Sequence, residues 1–80
     1  MRLDKFLKVS RIIKRRTVSN DACDAGRVEV NGKQAKAGYT VKKGDVIKIK
    51  FGERLLSFKV LFTEEKEAKI QNSPMAEEIL

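Results

Sequence analysis

The dipeptide Asn31-Gly32 directly follows the alternating run Arg27-Val28-Glu29-Val30. An Asn-Gly pair at the end of an alternating strand is the strongest short-range hairpin signal, because a type I′ turn demands positive φ at both central positions. This feature commits the middle of the chain to antiparallel β structure, with Lys33 to Ala37 as the return arm. Two more turn signals extend the sheet. Gly44-Asp45 leads into Val46-Ile47-Lys48-Ile49-Lys50-Phe51, and Gly52-Glu53 leads into an alternating stretch from Leu55 to Phe62, with Leu56, Phe58, Val60 and Phe62 on one side.

Helical periodicity precedes the sheet. Leu3, Phe6, Leu7 and Ile13 share one face with Ser10, while Arg2, Lys5 and Lys8 fall on the opposite side. The spacing predicts a helix over about residues 3–12. Asp4 lies in its first turn, where it suits the helix dipole and can pair with Lys8. Thr17 is placed to cap a second helix, Val18, Ala22 and Ala25 give that helix a narrow apolar face, and Gly26 stops it. Both helices are too short to stand alone, so their apolar stripes must close over the sheet. Phe6, Phe51, Phe58 and Phe62 are the aromatic candidates for the shared core.

The expected architecture is therefore α+β, two short N-terminal helices packed on a small twisted β-sheet. Residues 1–62 form the domain. Residues 63–80 are polar and acidic and contain Pro74, which reads as a flexible, loosely attached tail with Met75, Ile79 and Leu80 as a short docking patch.

Composition narrows the function. Eighty residues allow one domain with a small core. The chain has no His and a single cysteine, Cys23, which excludes an internal disulfide and the usual zinc ligand sets. It also lacks the commonest general base, so no catalytic residue, metal or cofactor is expected. Cys23 sits on a predicted helix among small neighbours and reads as packed and inert. No apolar run approaches the ~20 residues of a membrane helix, and no signal peptide is visible, so a cytoplasmic protein without membrane contact is expected.

Charge supplies the positive evidence. The chain carries a formal +7, and residues 1–43 hold 12 basic and 4 acidic side chains against 6 and 7 in residues 44–80. Arg2, Lys5, Lys8, Arg11, Lys14, Arg15 and Arg16 face a single acidic residue, Asp4, within residues 1–16. Such a segment suits a phosphate backbone, which Lys and Arg bind with release of counterions. Arginine makes the better bidentate phosphate contact, so Arg2, Arg11, Arg15 and Arg16 are the foremost candidates. Arg15-Arg16 also lies beside a predicted helix N-terminus, itself attractive to anions. Lys33 and Lys36 flank the hairpin turn as further RNA-binding candidates. Tyr39 could stack on a base only as a minor contribution.

The motif order resembles a known family. Arg2-Leu3-Asp4-Lys5-Phe6-Leu7, Arg11, Ala25-Gly26-Arg27-Val28-Glu29-Val30-Asn31-Gly32-Lys33 and Val41-Lys42-Lys43-Gly44-Asp45-Val46-Ile47 together resemble the S-four (alpha-L) RNA-binding domain, over about residues 1–50. Because this module fills most of the chain, the resemblance is to the stand-alone members, foremost the RqcP family of bacterial ribosome-associated quality control. A related heat-shock family differs by a longer basic C-terminal extension. The resemblance implies binding to the dissociated large ribosomal subunit carrying peptidyl-tRNA, and assistance to the RqcH tailing factor in adding C-terminal alanines to stalled chains. It further implies that Arg2 and Arg16 contact large-subunit RNA near the tRNA and that Asp4 orders that surface. Off the ribosome a monomer is expected. A heat-shock-type subunit recycling factor and a general ribosome-assembly module are the alternatives.

Overall fold

A computed structural model describes residues 1–79. The chain runs through α1 (Leu3–Val9), α2 (Arg16–Asp24), β1 (Val28–Val30), β2 (Lys33–Gln34), β3 (Val46–Phe51), β4 (Arg54–Val60), α3 (Glu65–Ile70) and β5 (Ala76–Ile79). The five strands form one antiparallel sheet in the order β2-β1-β3-β4-β5.

The turn chemistry sets the register. Asn31 and Gly32 have φ of 53° and 83°, both positive as a type I′ turn requires, and Val30 pairs with Lys33 across them. Gly52-Glu53 joins β3 to β4 with Phe51 opposite Arg54. This register puts Ile47 opposite Phe58 and Ile49 opposite Leu56, so the apolar alternation of both strands falls on one face. Leu3, Phe6 and Leu7 of α1 and Cys23 of α2 close over that face with Val28, Ile47, Ile49 and Val60. All eight are buried, and enclosing a large aliphatic or Phe side chain contributes about 1.5–3 kcal/mol each.

Several boundaries differ from the sequence expectation. The first helix ends at Val9, because Ser10 caps it and Arg11 turns left-handed at φ 66°. Ile13 is nevertheless buried, its N–H bonded to the Leu7 carbonyl as the chain folds back. The second helix begins at Arg16, with Arg15 extended before it, and Thr17 is exposed and makes no capping bond. A contact between helices sets that start, since the buried Ser19 hydroxyl lies within hydrogen-bond distance of the carbonyls of Asp4 (2.8 Å) and Arg16 (2.9 Å) and shares its one proton between them. Gly26 ends α2 with φ 75°, and a Cβ there would collide with the Gln34 amide that donates to its carbonyl.

The return arm after the hairpin keeps strand geometry only over Lys33–Gln34. One more backbone bond, Ala35 N–H to Val28 carbonyl, follows before the chain leaves the sheet to pair with the N-terminus. Phe51 sits at the turn end of the β3–β4 hairpin, opposite Arg54, and is 37% exposed, so it is not a core residue.

The larger correction concerns the C-terminal segment. Residues 63–79 do not form a loosely attached tail. The strand β4 ends at Val60, and the Met75 carbonyl accepts from the N–H groups of both Leu61 and Phe62. Ala68 of α3 and Met75 enter the core, and β5 pairs with β4 from Ser57–Ile79 to Val60–Ala76. Met75 is thus core and not part of an exposed patch, Ile79 is 38% exposed, and Leu80 lies outside the described residues.

Candidate RNA-binding surface

Asp4 organises the basic face. Its side chain is only 3% exposed, an unusual place for a carboxylate unless it is paired. One carboxylate oxygen accepts from Arg2 Nε at 3.2 Å and from the Lys5 backbone N–H at 2.9 Å. The other accepts from Asn20 Nδ2 at 3.3 Å and faces Arg16 Nε at 3.5 Å. Arg2 comes from the extended position that caps α1, and Arg16 and Asn20 come from α2, so one buried anion ties the start of α1 to α2. Burial pushes the Asp4 carboxyl up, but the bonds from Asn20 and the Lys5 N–H and the charges of Arg2 and Arg16 outweigh it and hold it below the usual carboxylate range. Asp4 is therefore ionised at neutral pH.

The consequence lies outside the carboxylate. Each arginine is held through Nε while its side chain remains about half exposed, 56% for Arg2 and 51% for Arg16. Two planar guanidinium groups are thus anchored on the two oxygens of one carboxylate with their outer N–H groups left at the surface, an arrangement that suits paired oxygens of a phosphate. Lys8 does not pair with Asp4 as the helical spacing suggested. It is exposed, whereas Asp4 turns toward α2.

The remaining candidates surround this pair unevenly. Lys5, Lys8, Lys14 and Arg15 are exposed on α1 and the loop leading into α2. Arg11 instead lines a separate hollow together with Ser10, Glu65, Lys69 and Met75. Lys33 and Lys36 are exposed, and the segment following Lys36 runs back along the N-terminus. Leu3 N–H donates to the Tyr39 carbonyl (2.7 Å), Asp4 N–H to the Ala37 carbonyl (3.2 Å), Val41 N–H to the Met1 carbonyl (2.9 Å), and Arg2 pairs with Thr40. These bonds bring the Lys36–Lys42 loop beside Arg2. Exposed Lys42 comes next to the chain start only through this non-local pairing, which local sequence patterns do not reveal.

Cys23 is fully buried, and burial, together with Asp4 and Asp24, pushes its thiol up to about 11. It remains a protonated packing residue at neutral pH, as expected.

Two helices locked by a buried carboxylate, an antiparallel sheet behind them and a basic loop alongside define an RNA-binding module of the S4 type. Residues 1–47 match the S4 domain family model, and the chain belongs to that family. Within it, the chain is 49% identical over 77 residues to the RQC P-site tRNA stabilizing factor of Halalkalibacterium halodurans, covering 96% of this chain and 88% of that protein. It is 55% identical over 60 residues to the protein of the same name in Bacillus subtilis, covering 75% and 70%. The chain belongs to the family of these factors, as its motifs suggested. Heat shock protein 15 of Vibrio cholerae has a similar structure, with a TM-score of 0.81 at 25% identity over 99% of this chain and 81% of that one. The α+β alpha-L architecture expected from the sequence is thereby shown.

Proposed function

We propose that this protein is a non-catalytic RNA clamp of ribosome-associated quality control. It binds the dissociated large ribosomal subunit, contacts ribosomal RNA and the peptidyl-tRNA held there, and so assists RqcH in extending stalled chains with alanine. The observation that carries this reading is the pair of half-exposed guanidinium groups, Arg2 and Arg16, anchored on buried Asp4. The names of the relatives, which are P-site tRNA stabilizing factors, support the cellular setting. Lys5, Lys8, Lys14, Arg15, Lys33 and Lys36 supply the surrounding positive field that steers the protein onto phosphate. Arg11 acts at the margin of that field. Holding a tRNA requires no proton transfer or metal, in keeping with a chain that contains no His. The reading places the protein in the cytoplasm, monomeric until it meets the subunit.

Binding to purified large subunits, titrated across a salt series, tests the assignment. Arg2→Ala and Arg16→Ala should each weaken binding and lower the slope of log K against log salt by about one. An unchanged slope in both variants would remove the two arginines from the interface.

A further inference from the structure

The second buried carboxylate lies outside the basic cluster. Asp45 is 7% exposed and faces three donors: Asn31 Nδ2 (3.0 Å), the Tyr39 hydroxyl (3.1 Å) and the Lys42 backbone N–H (2.9 Å). Asn31 in turn accepts from the Val46 N–H (2.9 Å) and donates its own backbone N–H to the Val46 carbonyl (2.8 Å). Asp45 therefore joins the β1–β2 turn, the Lys36–Lys42 loop and the start of β3. A turn needs fewer bonds than this. The loop so anchored is the one whose Ala37 and Tyr39 carbonyls accept the otherwise unpartnered first N–H groups of α1, and whose Thr40 pairs with Arg2.

We propose that Asp45 is a positioning residue for Arg2, acting through Tyr39 and the loop that pairs with the chain start. The relay is continuous. Asp45 holds the Tyr39 hydroxyl, the Tyr39 carbonyl fixes the Leu3 N–H, and the backbone pairing with Thr40 sets where Arg2 leaves the main chain on its way to Asp4. The two buried carboxylates thus hold Arg2 from opposite sides, Asp4 by its guanidinium and Asp45 by its backbone. The acidic side chain is required because all three partners donate. An ionised carboxylate accepts from every one of them, whereas an asparagine would turn an NH₂ group toward at least one donor.

The inference rests on Arg2 being an RNA contact, and a double-mutant cycle separates the two claims. Binding of the full-length chain to purified large ribosomal subunits is measured for Asp45→Asn and Tyr39→Phe, each alone and combined with Arg2→Ala. Asp45→Asn should weaken binding by about fivefold to tenfold and lower the salt slope toward that of Arg2→Ala, with little further loss in the double variant. Tyr39→Phe removes one bond of the three and should weaken binding by about twofold to threefold in the wild-type background and not at all with Arg2→Ala. It serves as the deciding variant should Asp45→Asn fail to fold. A purely structural role would lower stability in urea while leaving slope and coupling to Arg2 unchanged, and that result overturns the proposal. Losses that multiply in the double variants overturn it too. No effect of Arg2→Ala itself would overturn the functional reading first, and the inference with it.

Discussion

Among the described residues, Asp4 and Asp45 are the two carboxylates that folding removes from water, and each is surrounded by donors. For Asp45 as for Asp4, burial pushes the carboxyl up and is outweighed, here by the Lys42 N–H, Asn31, Tyr39 and the Lys42 charge, so both lie below their ordinary value of 3.8. A carboxyl depressed on folding stabilises the native state fully above its unfolded value, and that stability is lost as pH falls through the lower folded value. Urea stability of the wild type should therefore hold from neutral pH down to about 4 and then decline. The decline should be shallower in Asp4→Asn and shallower again with Asp45→Asn added. Equal acid slopes in wild type and variants would mean that neither carboxylate is held as described. At this scale the sequence was half legible. The basic residues and the first-turn position of Asp4 stand out in the primary structure. Its partners do not, because helical spacing points to Lys8, whereas the fold brings in Arg16 and Asn20 from the next helix. The Asp45–Tyr39 bond is hidden for the same reason, since turn chemistry alone accounts for Gly44-Asp45 in the sequence.

The elements were clearest where one local rule acts alone. Asn31-Gly32 forced its turn, and alternation placed Ile47 and Ile49 inside. Helix boundaries shifted where a tertiary contact competed with the cap residue, as Ser19 does with Thr17. The packing of the C-terminal segment is hidden in the sequence because its acidic composition masks three anchors. Ala68 and Met75 fill the core, while the Ala76–Ile79 backbone completes the sheet, and backbone pairing leaves little trace in side-chain type. This arrangement makes a definite prediction. Met75→Ala should destabilise the protein by about 2 kcal/mol and lower Tm by about 8–16 °C, measured by thermal unfolding. A loosely attached tail would instead leave Tm unchanged.

Across the whole molecule the charge sorts by element. The first 16 residues carry seven basic side chains against Asp4, β3 and β4 carry Lys48, Lys50, Arg54 and Lys59 with Asp45 and Glu53 beside them, and the segment after β4 carries Glu64, Glu65, Glu67, Glu77 and Glu78 against Lys66 and Lys69. The near neutrality of the second half is thus a cancellation between a basic hairpin and an acidic α3–β5 unit. The positive face remains at the helix starts, where Asp4 fixes the two arginines. That fixed pair is the surface proposed to meet the large subunit. Sedimentation of cell extracts on a sucrose gradient tests it most directly, comparing wild type with the Arg2→Ala, Arg16→Ala double variant. Wild-type protein should migrate with free large subunits and the double variant should remain near the top of the gradient. Equal recovery of wild type with small subunits, or a double variant that still travels with the large subunit, would contradict the assignment.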